Sequence, residues 1–234
     1  MSATALSIAV FDPEHGVNVS ARSGATLIFR GSEADVRGDG PEVETTRKGW
    51  SASLGDAFSV KLEPVADAAE LGDITVHVCA VSGQIDGQKA RCLGTVSETS
   101  EPPAWDELDL MRSVSIAFDR DNAFLAVARR PRGAAGHDAE EIAAWLLSEG
   151  TVVEMSEARI STVYDGEGRQ RSAGLELWVP GEDYPRRGSG SVVAGTSLAL
   201  DEVDVHAAAF RWRLDDLEGA GSYELWLRRQ EEAA

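Results

Sequence analysis

Two carboxylate–indole pairs in the last third of the chain have the residue types and the spacing for acid–base chemistry. Glu176 and Trp178 are two positions apart, and so are Glu224 and Trp226. Because side chains alternate between the two faces of a β-strand, each pair would share one face. A carboxyl group that burial keeps protonated can donate a proton, and the face of an indole ring attracts positive charge. Each pair is therefore a candidate for catalysis in a lined cavity, although on an outward face it would be a solvated carboxylate beside a packed ring.

The segment between these pairs carries a histidine with aromatic neighbours. Alternation along a strand places His206, Phe210 and Trp212 on one face. The other face carries Arg211 and Arg213, which makes the histidine face the internal one. We predict that His206 gives or takes a proton, with a hydrogen-bonded structural histidine as the alternative. The predicted pocket wall is aromatic and consists of Trp178, Phe210, Trp212 and Trp226.

Two tyrosines and an aspartate complete the candidate set. Tyr164 and Tyr223 could donate hydrogen bonds from their phenol groups inside a pocket, although tyrosines more often anchor the edge of a barrel. Asp165 is a further candidate for handling a proton. It directly precedes Gly166, however, and Asp-Gly is a hairpin-turn sequence, so we favour a turn role for Asp165.

The overall composition limits the partners of the protein. The chain has 234 residues, 43% of them hydrophobic, which suffices for one large all-β domain or two small ones. Its net charge of −18 would repel the phosphates of nucleic acids and of anionic membranes. The N-terminal residues lack the features of a signal peptide, and no apolar run approaches the ~20 residues of a membrane helix. We therefore expect a cytoplasmic protein, and a homodimer is left open.

The sequence lacks the common motifs for metals, cofactors and nucleophiles. The four histidines are scattered, and the glycines form no phosphate-binding loop between a strand and a helix. A nucleophile elbow of the Gly-x-Ser-x-Gly type is also missing. Cys79 and Cys92 lie thirteen positions apart, so a hairpin could join them, but we favour free buried thiols. We predict no metal and no cofactor.

Short alternating segments separated by turns predict antiparallel hairpins of a barrel or a sandwich. The turns are rich in Gly and Asp, as at Asp12–Gly16, Asp86–Gly87 and Asp165–Gly168. One segment, Ala139–Ser148, fits a helix and a strand equally well.

A stretch with two consecutive prolines divides the chain into two halves of similar length. We predict an N-terminal half over residues 1–98, a linker over 99–111 and a C-terminal half over 112–234. The halves begin alike, since Leu6–Asp12 and Ser113–Asp119 both contain Ser-Ile-Ala followed by Phe-Asp. This similarity indicates an internal duplication.

The second half resembles a known family over Val114–Leu227. The matching pieces are Glu157–Gly168, Gly174–Trp178, His206, Phe210–Trp212 and Glu218–Leu225. In these pieces the sequence is similar to the carotenoid 1,2-hydratase and AttH-like group of lipocalin-like proteins. The most specific part is an aromatic strand followed by Gly-x-Gly-x-Tyr-Glu.

This resemblance implies both a fold and a function. The expected fold is all-β, with two antiparallel lipocalin-like barrels packed together and a pocket for a lipophilic ligand. Members of the family act without redox cofactors, adding water to an alkene or cyclising it by protonation. We therefore predict a cofactor-independent hydratase, isomerase or cyclase acting on a hydrophobic small molecule of isoprenoid, steroid or polyketide type. A non-catalytic carrier of such molecules and an assembly protein are the alternatives.

Overall fold

The computed structural model describes residues 5–136, 139–200 and 202–229, and its regular structure consists of nineteen β-strands. The strands of the first half are β1 (Ala5–Asp12), β2 (Val17–Arg22), β3 (Ala25–Arg30), β4 (Glu33–Arg37), β5 (Glu42–Thr46), β6 (Gly49–Leu54), β7 (Phe58–Pro64), β8 (Ala69–Leu71), β9 (Ile74–Ile85) and β10 (Gln88–Thr99). Those of the second half are β11 (Leu108–Ala117), β12 (Ala123–Pro131), β13 (Glu141–Ser148), β14 (Thr151–Glu154), β15 (Glu157–Tyr164), β16 (Gln170–Trp178), β17 (Arg186–Leu200), β18 (Val203–Leu214) and β19 (Leu217–Arg228).

The two halves form two antiparallel sheets with the same order of strands. The first sheet has the order β4-β3-β2-β1-β10-β9-β7-β6-β5, with β8 paired to β9. The second has the order β14-β13-β12-β11-β19-β18-β17-β16-β15. Each sheet curls around its own hydrophobic core. The predicted all-β fold with two packed, lipocalin-like halves is thus confirmed.

The repeated sequence motif lies on equivalent strands of the two sheets. β1 and β11 occupy the same place in the two orders, and each carries Ser-Ile-Ala. Ile8 and Ile116 from these motifs are buried in the N-terminal and C-terminal cores, respectively. The shared topology and the shared motif together agree with an internal duplication.

The interiors of the two barrels differ in chemistry. The N-terminal core is filled by apolar side chains such as Trp50, Phe58 and Leu62, and His77 lies against the Trp50 ring with the centroids 4.8 Å apart. The C-terminal interior contains Phe210 and Trp212, but it also holds polar groups, which are described below. Gly190 makes room for this core, because a Cβ atom there would lie 2.5 Å from the Trp212 ring.

The barrels pack against each other through their outer faces. Val76 and Val78 of the first half meet Leu125 and Val127 of the second in one apolar cluster. Residues 100–107 connect the sheets, and within them Trp105 stacks on Trp226 with the ring centroids 6.3 Å apart. β11 already begins at Leu108, inside the segment predicted as a linker.

The segment that fitted a helix and a strand equally forms the strand β13. It pairs with β12 on one side and with β14 on the other. Ala144 and Leu146 point into the C-terminal core, whereas Trp145 packs against the N-terminal half and donates a hydrogen bond to the Glu70 carbonyl at 2.7 Å. Both faces of the strand are covered by protein, which explains why the sequence shows no clear alternation there.

Both cysteines are free thiols that face the N-terminal core, as expected. Burial raises the pKa of Cys79 to about 12, and burial with the nearby Asp12 carboxylate raises the pKa of Cys92 to about 12. We therefore predict that the native protein resists alkylation by iodoacetamide at pH 8, because only about one thiol in ten thousand would be ionised. Labelling in urea, where both thiols are exposed, provides the comparison. Rapid labelling of either cysteine in the native protein would contradict this prediction.

Candidate functional site

A cleft opens along the C-terminal barrel where its sheet does not close. β14 and β15 are the two ends of the sheet, and they are not paired with each other in the described part of the chain. Beside β15 lies a cleft of about 1300 Å³. The residues that line it are Arg112, Glu140, Ile142, Ser156–Thr162, Gly174–Glu176 and Arg187–Gly188. This cleft therefore combines apolar walls with charged and hydroxyl groups.

The guanidinium of Arg112 is the centre of a polar cluster at the wall of this cleft. Arg112 lies on the interior face of β11, in line with Ile116, and only 1% of the residue is exposed. Its Nη1 donates hydrogen bonds to the Ile160 carbonyl at 2.9 Å and to the hydroxyls of Thr162 and Tyr223, both at 3.3 Å. The two hydroxyl oxygens are 2.6 Å apart and share a further hydrogen bond. Residues of β15 and β19 thus hold the guanidinium of Arg112, which lies on β11.

Glu140 provides the opposite charge. It lies immediately before β13, and its carboxylate accepts a hydrogen bond from Nη2 of Arg112. The side chains of Arg112 and Glu140 are 2% and 0% exposed, so the ion pair is shielded from solvent. The Nε atom of Arg112 is buried and has no acceptor among the described residues. Buried donors nearly always have a partner, so this N–H is unusual.

The cluster shifts the pKa values of two of its members. Burial raises the pKa of the Tyr223 phenol and outweighs the lowering by Arg112 and by the hydrogen bond with Thr162. Burial alone would lower the pKa of Arg112, but Tyr223 and Glu140 outweigh it and the net pKa is raised. At neutral pH the phenol keeps its proton and the guanidinium keeps its charge. The Arg112 cluster therefore holds hydrogen-bond donors beside the Glu140 carboxylate, which is an arrangement suited to acid–base chemistry.

Sequence reasoning missed Arg112, Glu140 and Thr162. Arg112 did leave a signal, since it continues an alternating interior face that carries Val114 and Ile116. A charged residue in such a row indicates a buried charge, which requires a partner. Glu140 left no signal, because it lies outside a strand and meets Arg112 only in the folded chain.

Three of the aromatic residues predicted to form the pocket lie inside the C-terminal barrel. Phe210 stacks on Trp212 with the ring centroids 5.2 Å apart, and Tyr223 lies 5.7 Å from Phe210. The indole N–H of Trp212 is buried without an acceptor among the described residues. Tyr164 is half-buried, on the same side of β15 as Thr162 by alternation. These rings fill the barrel behind the Arg112 cluster.

His206 lies near the same end of the barrel as Arg112. Both residues pair with Leu225 across neighbouring strands, so the two side chains belong to one interior row about 10 Å across. His206 is half-buried, and its Nδ1 is hydrogen-bonded to the Ser197 hydroxyl at 2.6 Å. Its carbonyl accepts a hydrogen bond from the Gln170 side chain at 2.9 Å. His206 therefore stands at the barrel end and not in the cleft lining.

Glu224 and Trp226 lie between the two halves and not in the barrel, which corrects their predicted place in a pocket. They occupy the outer face of β19, opposite Tyr223. Glu224 accepts a hydrogen bond from the Ser20 hydroxyl at 2.7 Å and forms an ion pair with Arg22. The Arg22 guanidinium lies 4.6 Å from the centroid of the Trp226 ring. The N-terminal half covers this face of β19, so the pair joins the two barrels.

Glu176 and Trp178 lie on the outer face of the C-terminal barrel, with Glu176 at the rim of the cleft. Glu176 pairs with Arg187 at 3.3 Å, and Trp178 is covered by Arg159, whose guanidinium lies 4.9 Å from the ring centroid. The physical reason is that Leu175 and Leu177 take the interior face of β16. The prediction that Trp178 forms part of an interior wall is therefore corrected.

Asp165 has the turn role that we favoured. Its carboxylate accepts hydrogen bonds from the backbone N–H groups of Glu167 and Arg169 at 2.8 and 2.9 Å. The hydrogen bond from the Arg169 N–H, aided by those from Glu167 and the Arg169 side chain, lowers the pKa of Asp165. A carboxyl group held ionised in this way does not supply protons near neutral pH.

Comparison with solved structures agrees with the fold. No protein-family model matches this sequence, and no curated protein matches it significantly. A crystal structure of an AttH candidate from Nitrosomonas europaea is similar, with a TM-score of 0.61, 12% sequence identity, and coverage of 95% of this chain and 91% of that one. A protein of unknown function from the DUF3598 family of Nostoc punctiforme aligns with a TM-score of only 0.17 at 12% identity, over 97% and 95% of the two chains.

The similarity to the Nitrosomonas protein establishes the fold alone, because so low an identity does not carry over site residues. The fold expected from the sequence resemblance is confirmed by it. No helix in the described ranges has the length and apolar character needed to cross a lipid bilayer. Within the same ranges, no three His, Cys, Asp or Glu side chains are grouped so that they could hold a metal ion.

Proposed function

We propose that this protein is a cofactor-independent acid–base enzyme of the hydratase, isomerase or cyclase type. Its substrate would be an apolar small molecule of isoprenoid, steroid or polyketide type, bound in the cleft beside β15. The observation that carries the proposal is the buried Arg112–Glu140 pair at the wall of this cleft. Shielded ion pairs are costly to fold, so a buried pair at the wall of a cleft marks a candidate active site.

The difference between the two barrels supports the location. The N-terminal core is formed by apolar side chains with His77 against Trp50, whereas the C-terminal interior holds a buried ion pair and two hydroxyl groups. Stability alone does not favour such a cluster, because apolar residues of similar volume would pack equally well or better. The N-terminal barrel, on this proposal, supports the C-terminal one from behind.

Each part of the cluster has a role in the proposed chemistry. Glu140 is the candidate for exchanging a proton with substrate carbon, since hydration, isomerisation and cyclisation all include such a transfer. Thr162 and Tyr223 position the Arg112 guanidinium through their hydroxyl groups. Ile142, Ile160 and Leu175 would contact the apolar body of the substrate.

Proton exchange with solvent provides a test that does not require the natural substrate. We expect that, in deuterium oxide, the protein introduces deuterium into at least one member of a panel of apolar alkenes and ketones, as measured by mass spectrometry. Glu140→Gln keeps the size of the side chain but removes the carboxylate. We expect it to slow deuterium uptake by at least about a hundredfold, because general acid–base groups contribute that much or more.

Glu182→Gln is the matched control. Glu182 pairs with Arg186 at 2.5 Å on the surface of the same half, outside the cleft, and should leave deuterium uptake unchanged. Uptake that is equal in the two variants would remove Glu140 from the mechanism. A carrier, the alternative function, would bind members of the panel but would introduce deuterium into none of them.

A further inference from the structure

We propose that the substrate of this cleft carries a carbonyl group, and that the reaction places negative charge on its oxygen beside Arg112. The inference rests on the proposed function and narrows it to enolisation chemistry. It departs from alkene protonation, which the sequence resemblance implies.

The unpartnered N–H of Arg112 is the first observation. The Nη atoms donate to Ile160, Thr162, Tyr223 and Glu140, whereas Nε is buried with no acceptor among the described residues. A buried charged donor without a partner is strongly disfavoured, and an oxygen acceptor supplied by a ligand removes this cost. Arg112 lines the cleft, so a small movement of its buried side chain would let a carbonyl oxygen bound there accept this hydrogen bond. A hydrocarbon offers no such acceptor.

The positive charge of the Arg112 guanidinium is the second observation. Protonating an alkene makes a carbocation, and a guanidinium nearby would raise its energy. Aromatic faces would be needed to stabilise the cation, yet in the described part of the chain no aromatic side chain lines the cleft. Removing a proton from the carbon next to a carbonyl instead requires positive groups nearby, because negative charge develops on the carbonyl oxygen. Preorganised donors such as the Arg112 guanidinium stabilise that charge.

The proposed proton transfer requires only the ketone, the Glu140 carboxylate and the Arg112 guanidinium. The Glu140 carboxylate takes a proton from the carbon next to the carbonyl, and the C–H electron pair becomes the carbon–carbon double bond of an enolate. The carbonyl π pair moves to oxygen, where it accepts the hydrogen bond from Arg112. Return of the proton from Glu140 to the same carbon restores the ketone, and in deuterium oxide this return introduces deuterium. Return to a more distant carbon of an unsaturated ketone gives an isomer.

Comparing the binding of a ketone with that of its parent hydrocarbon distinguishes a site for enolisation from a site for alkene protonation. We expect the protein to bind decalone at least about tenfold more tightly than decalin in isothermal titration calorimetry, because one charged hydrogen bond distinguishes them. Arg112→Lys keeps the positive charge opposite Glu140 but lacks the Nε–H. In this variant the preference for decalone should fall by about ten- to hundredfold, with the affinity for decalin unchanged.

The possible outcomes distinguish the carbonyl inference from the proposal that the protein is an acid–base enzyme. Equal binding of decalone and decalin by the unmodified protein, together with deuterium uptake by alkenes, would overturn the carbonyl inference and leave the acid–base enzyme standing. Failure of every panel member to bind or to take up deuterium would overturn both. Because the comparison between decalone and decalin needs no variant, it remains decisive even if Arg112→Lys does not fold.

Discussion

Replacing Arg112 with methionine is expected to lower the free energy of unfolding by about 3–5 kcal/mol. The substitution leaves the Glu140 carboxylate, which is 0% exposed, without the cation that neutralises it. It also removes donors from the Ile160 carbonyl and from the hydroxyls of Thr162 and Tyr223. Urea unfolding followed by tryptophan fluorescence measures the change.

Two further variants make this result specific. Arg30→Met removes an exposed ion pair with Asp86 in the N-terminal half, which has Nε–Oδ2 at 2.5 Å, and should cost no more than about 1 kcal/mol. Replacing Arg112 and Glu140 together with methionine and leucine should restore most of the lost stability, because no buried charge is left unpaired. A double variant as unstable as the single one would show that the charge on Glu140 is not the cause.

Replacing Arg22 with methionine is expected to destabilise the protein by a similar amount, about 3–5 kcal/mol at pH 7. Glu224 lies in the contact between the two halves and is 9% exposed. Burial by itself would raise the pKa of Glu224, but the Arg22 charge and the hydrogen bonds from Ser20, Arg22 and Trp226 outweigh burial, and the net pKa is lowered. Without Arg22 the burial effect prevails, and the pKa should rise above its unfolded value.

The effect of Arg22→Met should therefore depend on pH. With Arg22 present, the folded pKa of Glu224 lies below the unfolded value of about 4.3, so its stabilising contribution is complete above that value and is lost as the pH falls through the folded pKa. With Arg22 removed, Glu224 binds a proton on folding and opposes folding as the pH rises. We expect the difference in unfolding free energy to be largest at pH 7 and to shrink at pH 4. A difference that grows on acidification would contradict this assignment.

The fold was predictable because alternation is a local property of strands. In β16, for example, Ala173, Leu175 and Leu177 occupy every second position, and all three lie in the core. Turn sequences such as Asp165–Gly168 separated these segments clearly. Only where both faces are buried, as in β13, did the pattern lose its period and leave helix and strand equally plausible.

The candidate site was predictable only in part, because alternation does not say what covers each face. β19 is buried on both sides, with Tyr223 in the barrel and Glu224 against the N-terminal half. A sequence pattern cannot distinguish these two environments. Arg112 and Glu140 are 28 positions apart, and their contact depends on the register of β11, β12 and β13, which places Arg112, Ala128 and Ile142 in one row across the sheet.

The position of a bound ketone tests the proposed site most directly. Backbone amide shifts of the isotopically labelled protein can be followed by NMR spectroscopy as decalone is added. We predict the largest changes in the cleft beside β15, at Ile142, Ile160 and Thr162. A second cleft, of about 340 Å³, lies between the barrels near Phe11, Leu93 and Ala220. Changes concentrated there, with none beside β15, would contradict the placement of the active site in the C-terminal barrel.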